Sequence, residues 1–377
     1  MNFFKLRLNI QIFCLAVIFM LFEGGGYLGV GGYYAPVILL VIIAAVITAL
    51  RHGFVFSIEH LYISVLFIIL VFHLNASVQY IESSRLIWGY ILLFIMFFAL
   101  VLYKPQIEDL RYIKNSFIIS SFIISFFIII MREEYGLSGR YTLNLVAPTD
   151  PNHLASFLTL GLIFNIKENF FSFQKSNKFI YFISFIFILL AIMFTGSRGA
   201  FISIILSVPV LFFTRVNKFF VGIFFMISVF IFSFLILPDY LTNRFIRDSY
   251  NDGSNQTRIR LWTRSVEKIK LHPFIGYGAV RSNNITGIGA AHNTFLAFAL
   301  HFGILGLLMM LFILWKIFVN CLNKNMYLFL AIFINLMINS IILENTNTMP
   351  FWFTLVFLVY AVNYKLKNPE VNLWKEI

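Results

Sequence analysis

A chain of 377 residues that is 60% hydrophobic, 19% aromatic and only 12% charged, with a mean hydropathy of +0.89, lies outside the range of soluble globular domains. Its 28 Lys and Arg against 16 Asp and Glu give a formal charge of +12, which so apolar a chain must carry in loops at water or headgroups, and no nucleic-acid partner is expected. These values exclude a soluble enzyme and point to an integral membrane protein. Backbone groups in hydrocarbon must be satisfied internally, and the long unbroken apolar runs exclude a barrel, so the spanning elements are helices.

In chain order, Lys5 and Arg7 ahead of an apolar run over 8–22 have the shape of a signal peptide. No small-x-small cleavage site follows and further spans do, so this run reads as an uncleaved first helix. Apolar cores then recur at 34–50, 61–74, 86–103, 116–131, 154–166, 179–195, 200–214, 219–237, 295–318, 326–343 and 351–364. The expectation is an all-α polytopic protein of about twelve transmembrane helices, one membrane domain over 1–377. Several cores fall short of the ~20 residues that span a ~30 Å bilayer, so flanking Tyr, Trp and Asn extend them into the interfaces. Cys14 and Cys321 fall in or beside spans and suggest neither a disulfide framework nor a metal knuckle. No Asp, Glu, Lys or Arg stands near the middle of a core, which weighs against ion-driven transport.

The one long polar stretch, 238–293, is expected to be a large external loop. It carries Arg244, Arg247, Arg258, Arg260, Arg264, Lys268, Lys270 and Arg281 against Asp239, Asp248, Asp252 and Glu267, so an anion is the expected guest. With the N-terminus inside, the cytoplasmic loops hold twelve Lys and four Arg, and the outer ones ten Arg and two Lys. Lysine serves as a topogenic charge, whereas arginine's planar fork suits bidentate phosphate recognition; the outer loops can equally need only a cation.

Three outer constellations carry candidate chemistry. Gly196-Ser197-Arg198-Gly199-Ala200 makes a hairpin with an arginine at its tip, read either as a ligand loop or as a tight turn whose arginine reaches headgroups. From Asn255 to Pro273 the apolar residues Ile259, Trp262, Val266 and Ile269 recur at helical spacing, with Asn255 or Thr257 as cap, predicting an amphipathic helix on the membrane interface. Arg260, Lys268 and Lys270 suit anionic lipid, while Arg258, near the helix N-terminus, is the better ligand candidate. Third, His292-Asn293 closes the loop at the mouth of an apolar run, nine residues before Gly303-Ile304-Leu305-Gly306, where a neutral imidazole can take a proton from a hydroxyl. Asp150 and Glu344 are carboxylates at span ends that could serve as base in its place. No His, Asp or Glu cluster stands at metal-ligand spacing, so neither a metal nor another cofactor is expected.

The ordered set of Gly196-Ser197-Arg198-Gly199-Ala200, Arg258 and Trp262, His272-Pro273-Phe274-Ile275-Gly276-Tyr277-Gly278, and His292-Asn293 with Gly303 and Gly306 resembles the O-antigen ligase and O-antigen polymerase superfamily. Asp150-Pro151-Asn152-His153-Leu154-Ala155 is similar to a segment of the same superfamily. The resemblance implies a bacterial inner-membrane, type C-like glycosyltransferase with its active site on the periplasmic or external face. Its donor is a glycan on undecaprenyl pyrophosphate, and independence of divalent ions follows with it. Arg198 and Arg258 match the family's arginines and would take the pyrophosphate; His292 would orient or deprotonate the acceptor hydroxyl. Asn293, Arg260, Arg264 and Asp150 join them as substrate-binding candidates. The polymerase branch extends a chain of repeat units, the ligase branch moves the finished glycan to lipid A-core, and this chain is read as a polymerase with the ligase as alternative. Expected partners are the lipid-linked glycan, the bilayer, and a chain-length regulator and flippase of the same pathway. A lipid-linked oligosaccharide flippase would instead need cations lining a central cavity, and here they stand at the outer rim.

Overall fold

The computed structural model describes residues 7–19, 34–73, 81–131, 133–134, 140–142, 150–171, 178–213, 220, 224 and 253–377. The core expected at 219–237 and the front of the polar loop, with Arg244 and Arg247, lie outside them.

The described chain is helical apart from one strand pair. Helices α1 (Leu8–Phe19), α2 (Tyr34–His52), α3 (Ile58–Phe72), α4 (Ile81–Val101) and α5 (Ile107–Met131) come first. Strands β1 (Glu133–Glu134) and β2 (Tyr141–Thr142) then pair antiparallel, with Glu134 opposite Tyr141. Next are α6 (Pro151–Phe171), α7 (Lys178–Thr195) and α8 (Arg198–Ser207), which tightens into a 3-10 turn over Val208–Phe212. After the undescribed stretch come α9 (Gly253–Leu271), α10 (Ser282–Thr286), α11 (Thr294–Asn323), α12 (Tyr327–Ile342), α13 (Met349–Lys367) and α14 (Leu373–Glu376).

Among the described residues, α5, α7, α11 and α13 are long and apolar enough to cross a membrane. The stretches 8–18, 36–52, 58–72, 86–101, 198–212 and 327–342 form shorter apolar helices. The result is an all-α architecture of the membrane type, in which eleven of the twelve expected cores fall on helices. The one at 154–166 continues as α6 through Lys167 and Glu168 and is not among the four. Those two side chains close a buried cluster in which Lys114 donates to Glu168 at 2.5 Å and Lys167 to the same oxygen at 3.2 Å. Charges that the sequence assigned to loops are thus paired inside helix ends.

α13 organises the packing. It contacts α4, α5, α11 and α12, and its residues Phe351–Phe353 and Leu355–Val362 are all buried. A helix apolar all round belongs in the interior. Trp352 meets Phe94, Phe97 and Phe298 edge-on with ring centres 5.5, 5.7 and 6.4 Å apart, and its indole N–H donates to the Thr346 carbonyl at 2.9 Å. Polar glue joins neighbouring helices: Asn335 of α12 donates to Thr159 of α6 and Ser203 of α8, each at 2.8 Å. Cys14 and Cys321 are buried free thiols.

α9 departs from the expectation in two ways. It starts at Gly253, so Asn255 and Thr257 lie inside it rather than capping it. The expected apolar stripe is also divided, because Ile259 and Val266 are 62% and 43% exposed, Trp262 and Ile269 are half-buried, and Leu261 and Ser265 beside them are buried. The docked side faces α11 and rests on a small cluster of Ile285, Ala291, Ala297 and Leu300, with Ile269 at its edge. Ile259 and Val266 remain turned outward, with the exposed Leu271, Phe274 and Ile275 following.

Candidate active site

The end of the bundle beneath α9 is built around a broken helix. At Gly303 the backbone of α11 takes φ 68° and ψ −171°, outside helical geometry. The interruption frees carbonyls on one side and N–H groups on the other, which in an apolar setting must find partners. The segment Pro273–Gly278 supplies four of them. Tyr277 and Gly278 donate to the carbonyls of Leu300 and His301 at 2.7 and 2.9 Å. Ile304 and Leu305 donate to those of Pro273 and Phe274 at 2.7 and 3.2 Å. A Cβ at Gly303 would stand 2.2 Å from the Phe274 carbonyl carbon, and one at Gly276 2.5 Å from the Leu300 oxygen. The Gly-rich turn and the Gly-x-x-Gly pattern are therefore two halves of one backbone joint. His73, at the end of α3, adds a bond from Nε2 to the Gly276 carbonyl at 3.1 Å.

The joint fixes the start of α11, where His292 and Asn293 sit. Asn293 is the N-cap: its Oδ1 accepts from the N–H groups of Phe295 and Leu296 at 2.9 and 3.0 Å. Thr294 donates to the Leu343 carbonyl at 2.7 Å and accepts from the Asn345 N–H at 3.0 Å, tying this helix start to the α12–α13 turn. Immediately before the cap, His292 has φ 46°, a left-handed conformation that costs a residue with a Cβ about 1–2 kcal/mol. Glu344 lies against the same loop. One carboxylate oxygen accepts from the Ala291 N–H at 2.9 Å, the other from Ser282 Oγ at 2.6 Å, and the His292 N–H is a further donor.

The Arg198 turn enters from the other side. Gly196 has φ 57°, and the Ser197 side chain caps α8 by accepting from the Ala200 N–H at 3.4 Å, so Arg198 is the first helical residue and half-buried. Gly199 lets α8 close on α12, since a Cβ there would be 3.0 Å from Ile342. Arg140, 5% exposed, braces this turn: Nε donates to the Thr195 carbonyl at 2.7 Å and Nη2 to Asn152 Oδ1 at 2.8 Å. Asn152 in turn donates its N–H to Asp150 Oδ1 at 2.7 Å.

Asp150, His153, Arg258 and His292 are thereby brought together. The His292 ring is held below the usual imidazole range first by burial, then by the positive field of Arg258 and by His153, while Asp150 pulls the other way. Burial and the Arg258 field thus favour the neutral imidazole, and the Asp150 carboxylate favours the protonated one. Burial raises the Glu344 carboxyl, opposed by its Ser282, Ala291 and His292 donors, whose bonds occupy its oxygens. Arg260 and Arg264 stand apart from this group. Arg260 is exposed and reaches Thr257 at 3.5 Å; Arg264 pairs with Glu267 at 2.9 Å and donates to the Thr286 carbonyl at 3.3 Å. Sequence reasoning passed over Arg140 and Ser282 because each lies outside the motifs, and only folding places them under Arg198 and His292. Chemically the arrangement offers a proton acceptor within the field of one cation, Arg258, of a kind that can receive a developing negative charge.

Residues 183–311 match the family model described as O-antigen ligase, a span that takes in Arg198, Arg258, His292, Asn293 and Gly303. No curated protein matches the chain.

Proposed function

We propose that the chain, whose residues 183–311 match the O-antigen ligase family model, is a glycosyltransferase of surface polysaccharide assembly. It polymerises oligosaccharide repeat units carried on undecaprenyl pyrophosphate, at the external face of the bacterial cytoplasmic membrane. In this reading the chain forms one membrane domain of about twelve spans, and residues 238–293 are its external loop. The observation that carries the proposal is the match of residues 183–311 to the O-antigen ligase family model, a span that takes in Arg198, Arg258 and His292.

The acceptor hydroxyl attacks the anomeric carbon of the donor glycan. A new carbon–oxygen bond forms, the bond to pyrophosphate breaks, and its electron pair leaves on the phosphate oxygen. Arg198 and Arg258 receive that charge in a partly dry site, where fixed cations are most effective. His292 takes the hydroxyl proton, a step that contributes about 10²–10⁴-fold in enzymes of this kind. Asp150 then faces the imidazolium. The expected partners are the lipid-linked donor, the bilayer, and a chain-length regulator and flippase of the same pathway; a flippase role for the chain itself finds no support.

The description of the matched family as ligase favours a second reading, transfer of the finished glycan to lipid A-core. A gel of glycolipids from a null strain separates the two. Loss of a polymerase leaves a single repeat unit on the acceptor lipid, whereas loss of a ligase leaves long chains on undecaprenyl pyrophosphate and bare core. Long lipid-linked polymer in the null overturns the polymerase assignment. Unchanged polymer in Arg198→Ala and His292→Ala strains, at matched protein levels, overturns the site.

A further inference from the structure

We propose that Glu344 is the positioning residue for His292: its carboxylate grips the backbone N–H of Ala291, the residue before His292, and so holds the loop that carries the imidazole. The inference rests on the reading of His292 as the proton acceptor. As a carboxylate at a span end, Glu344 is at first sight a rival base. Geometry assigns it otherwise, because each of its two oxygens already accepts a bond, one from Ser282 Oγ at 2.6 Å and the other from the Ala291 N–H at 2.9 Å.

The bonds it accepts favour the charged carboxylate and commit it to the loop. It can stabilise a backbone that is otherwise costly. His292 stands at φ 46°, and such strain persists only where the surroundings over-determine it. Those surroundings are anchored in depth. Ser282 Oγ lies 3.4 Å from His301 Nε2, His301 Nδ1 lies 2.6 Å from Tyr90 Oη, and Tyr90 Oη lies 2.8 Å from Thr346 Oγ1. Tyr90 and His301 are buried, as is Thr346, which follows Glu344 by two residues in the same turn. The carboxylate is therefore pinned by a line of hydrogen-bonding groups that runs into the bundle core. Such a line specifies one geometry for the loop that carries the imidazole.

Glu344→Gln and Glu344→Ala separate positioning from proton transfer. The amide of Gln keeps an oxygen for the loop N–H groups and can donate to the Ser282 oxygen, but it cannot carry a proton. Full-length protein in detergent, assayed with its lipid-linked glycan donor, should keep transfer within about tenfold of wild type in Glu344→Gln and lose about 100-fold in Glu344→Ala. The loss should fall on kcat, with KM for the donor unchanged because both arginines remain. Amide exchange at Ala291 and His292 should accelerate in Glu344→Ala and stay slow in Glu344→Gln. Glu344→Gln as inactive as Glu344→Ala, with both amides still protected, overturns the proposal in favour of a proton-carrying role. Full activity or unchanged protection in Glu344→Ala overturns it as well. If wild type transfers no glycan at all, the proposed function fails, and the exchange measurement still decides whether Glu344 holds the loop.

Discussion

Arg140 donates its Nε hydrogen to the carbonyl oxygen of Thr195 at 2.7 Å, and its other arm reaches Asn152 at 2.8 Å. One buried guanidinium thus links the turn that carries Arg198 to the helix start that carries Asp150. Arg140→Ala should cost about 3 kcal/mol by leaving buried acceptors unmatched. Arg140→Lys should restore little, because an ammonium lacks the planar fork that spans both acceptors. Thermal unfolding in detergent and glycan yield at matched protein level are the measurements. A Lys variant equal to wild type in both would show that the brace is dispensable.

The pH dependence follows from His292. Its folded pKa lies below the ordinary 6.5, through burial first and then Arg258. Transfer should therefore stay level as pH falls to 6.5 and decline only below it, as the imidazole takes up a proton. Asp150→Asn removes the one charge that favours the imidazolium, so it should move the acid limb lower still while reducing the plateau rate. The linkage has the same sign. The unfolded chain binds this proton first, so His292 contributes stability above pH 6.5 that is lost as pH falls toward its folded pKa. Rate and unfolding profiles of wild type, Asp150→Asn and His292→Gln test both statements. An acid limb that Asp150→Asn shifts upward would contradict the assignment.

Gly303 and Gly276 should tolerate no side chain. Alanine at Gly303 meets the Phe274 carbonyl at 2.2 Å and must adopt φ 68°, and alanine at Gly276 meets the Leu300 oxygen at 2.5 Å with φ 73°. Each should destabilise by at least about 2 kcal/mol. Gly287→Ala is the control: its φ is 76° but nothing lies within 4 Å of the added Cβ, so its cost should stay near 1 kcal/mol. Melting temperatures of the three variants should order accordingly.

Much of this was legible before folding. Apolar runs without mid-span charge can only be helices in a bilayer, so the all-α class and eleven cores follow from pattern alone. Arg198 and His292 stood out as polar residues at the mouths of such runs, and Arg258 as the cation near the start of a helix in the polar stretch. What pattern could not reveal is which side of α9 docks, since both Ile259/Val266 and Leu261/Ser265 keep helical spacing and only contact with α11 decides between them. Nor could it reveal that Pro273–Gly278 fills the gap at Gly303, because hydrogen bonds between separate segments leave no period in the sequence. Arg260 and Arg264 were legible as cations of the polar stretch, but their contacts to Thr257, Glu267 and Thr286 form only on folding.

Asn293 offers the sharpest separation of structure from chemistry. Its Oδ1 is committed to the N–H groups of Phe295 and Leu296, so its role here is to start α11 directly after His292. If capping is all it does, Asp and Ser, which also cap, should replace it with small losses, and Ala should cost about 1 kcal/mol. Asp brings a second effect. Its charge lies next to the imidazole and favours the protonated form, so Asn293→Asp should raise the acid limb of the transfer profile, opposite in direction to Asp150→Asn. If instead the side-chain amide binds the acceptor sugar, Asn293→Ser should lose transfer as badly as Asn293→Ala while melting like wild type. Parallel melting and rate profiles of the Ser, Asp and Ala variants decide between a cap and a ligand contact.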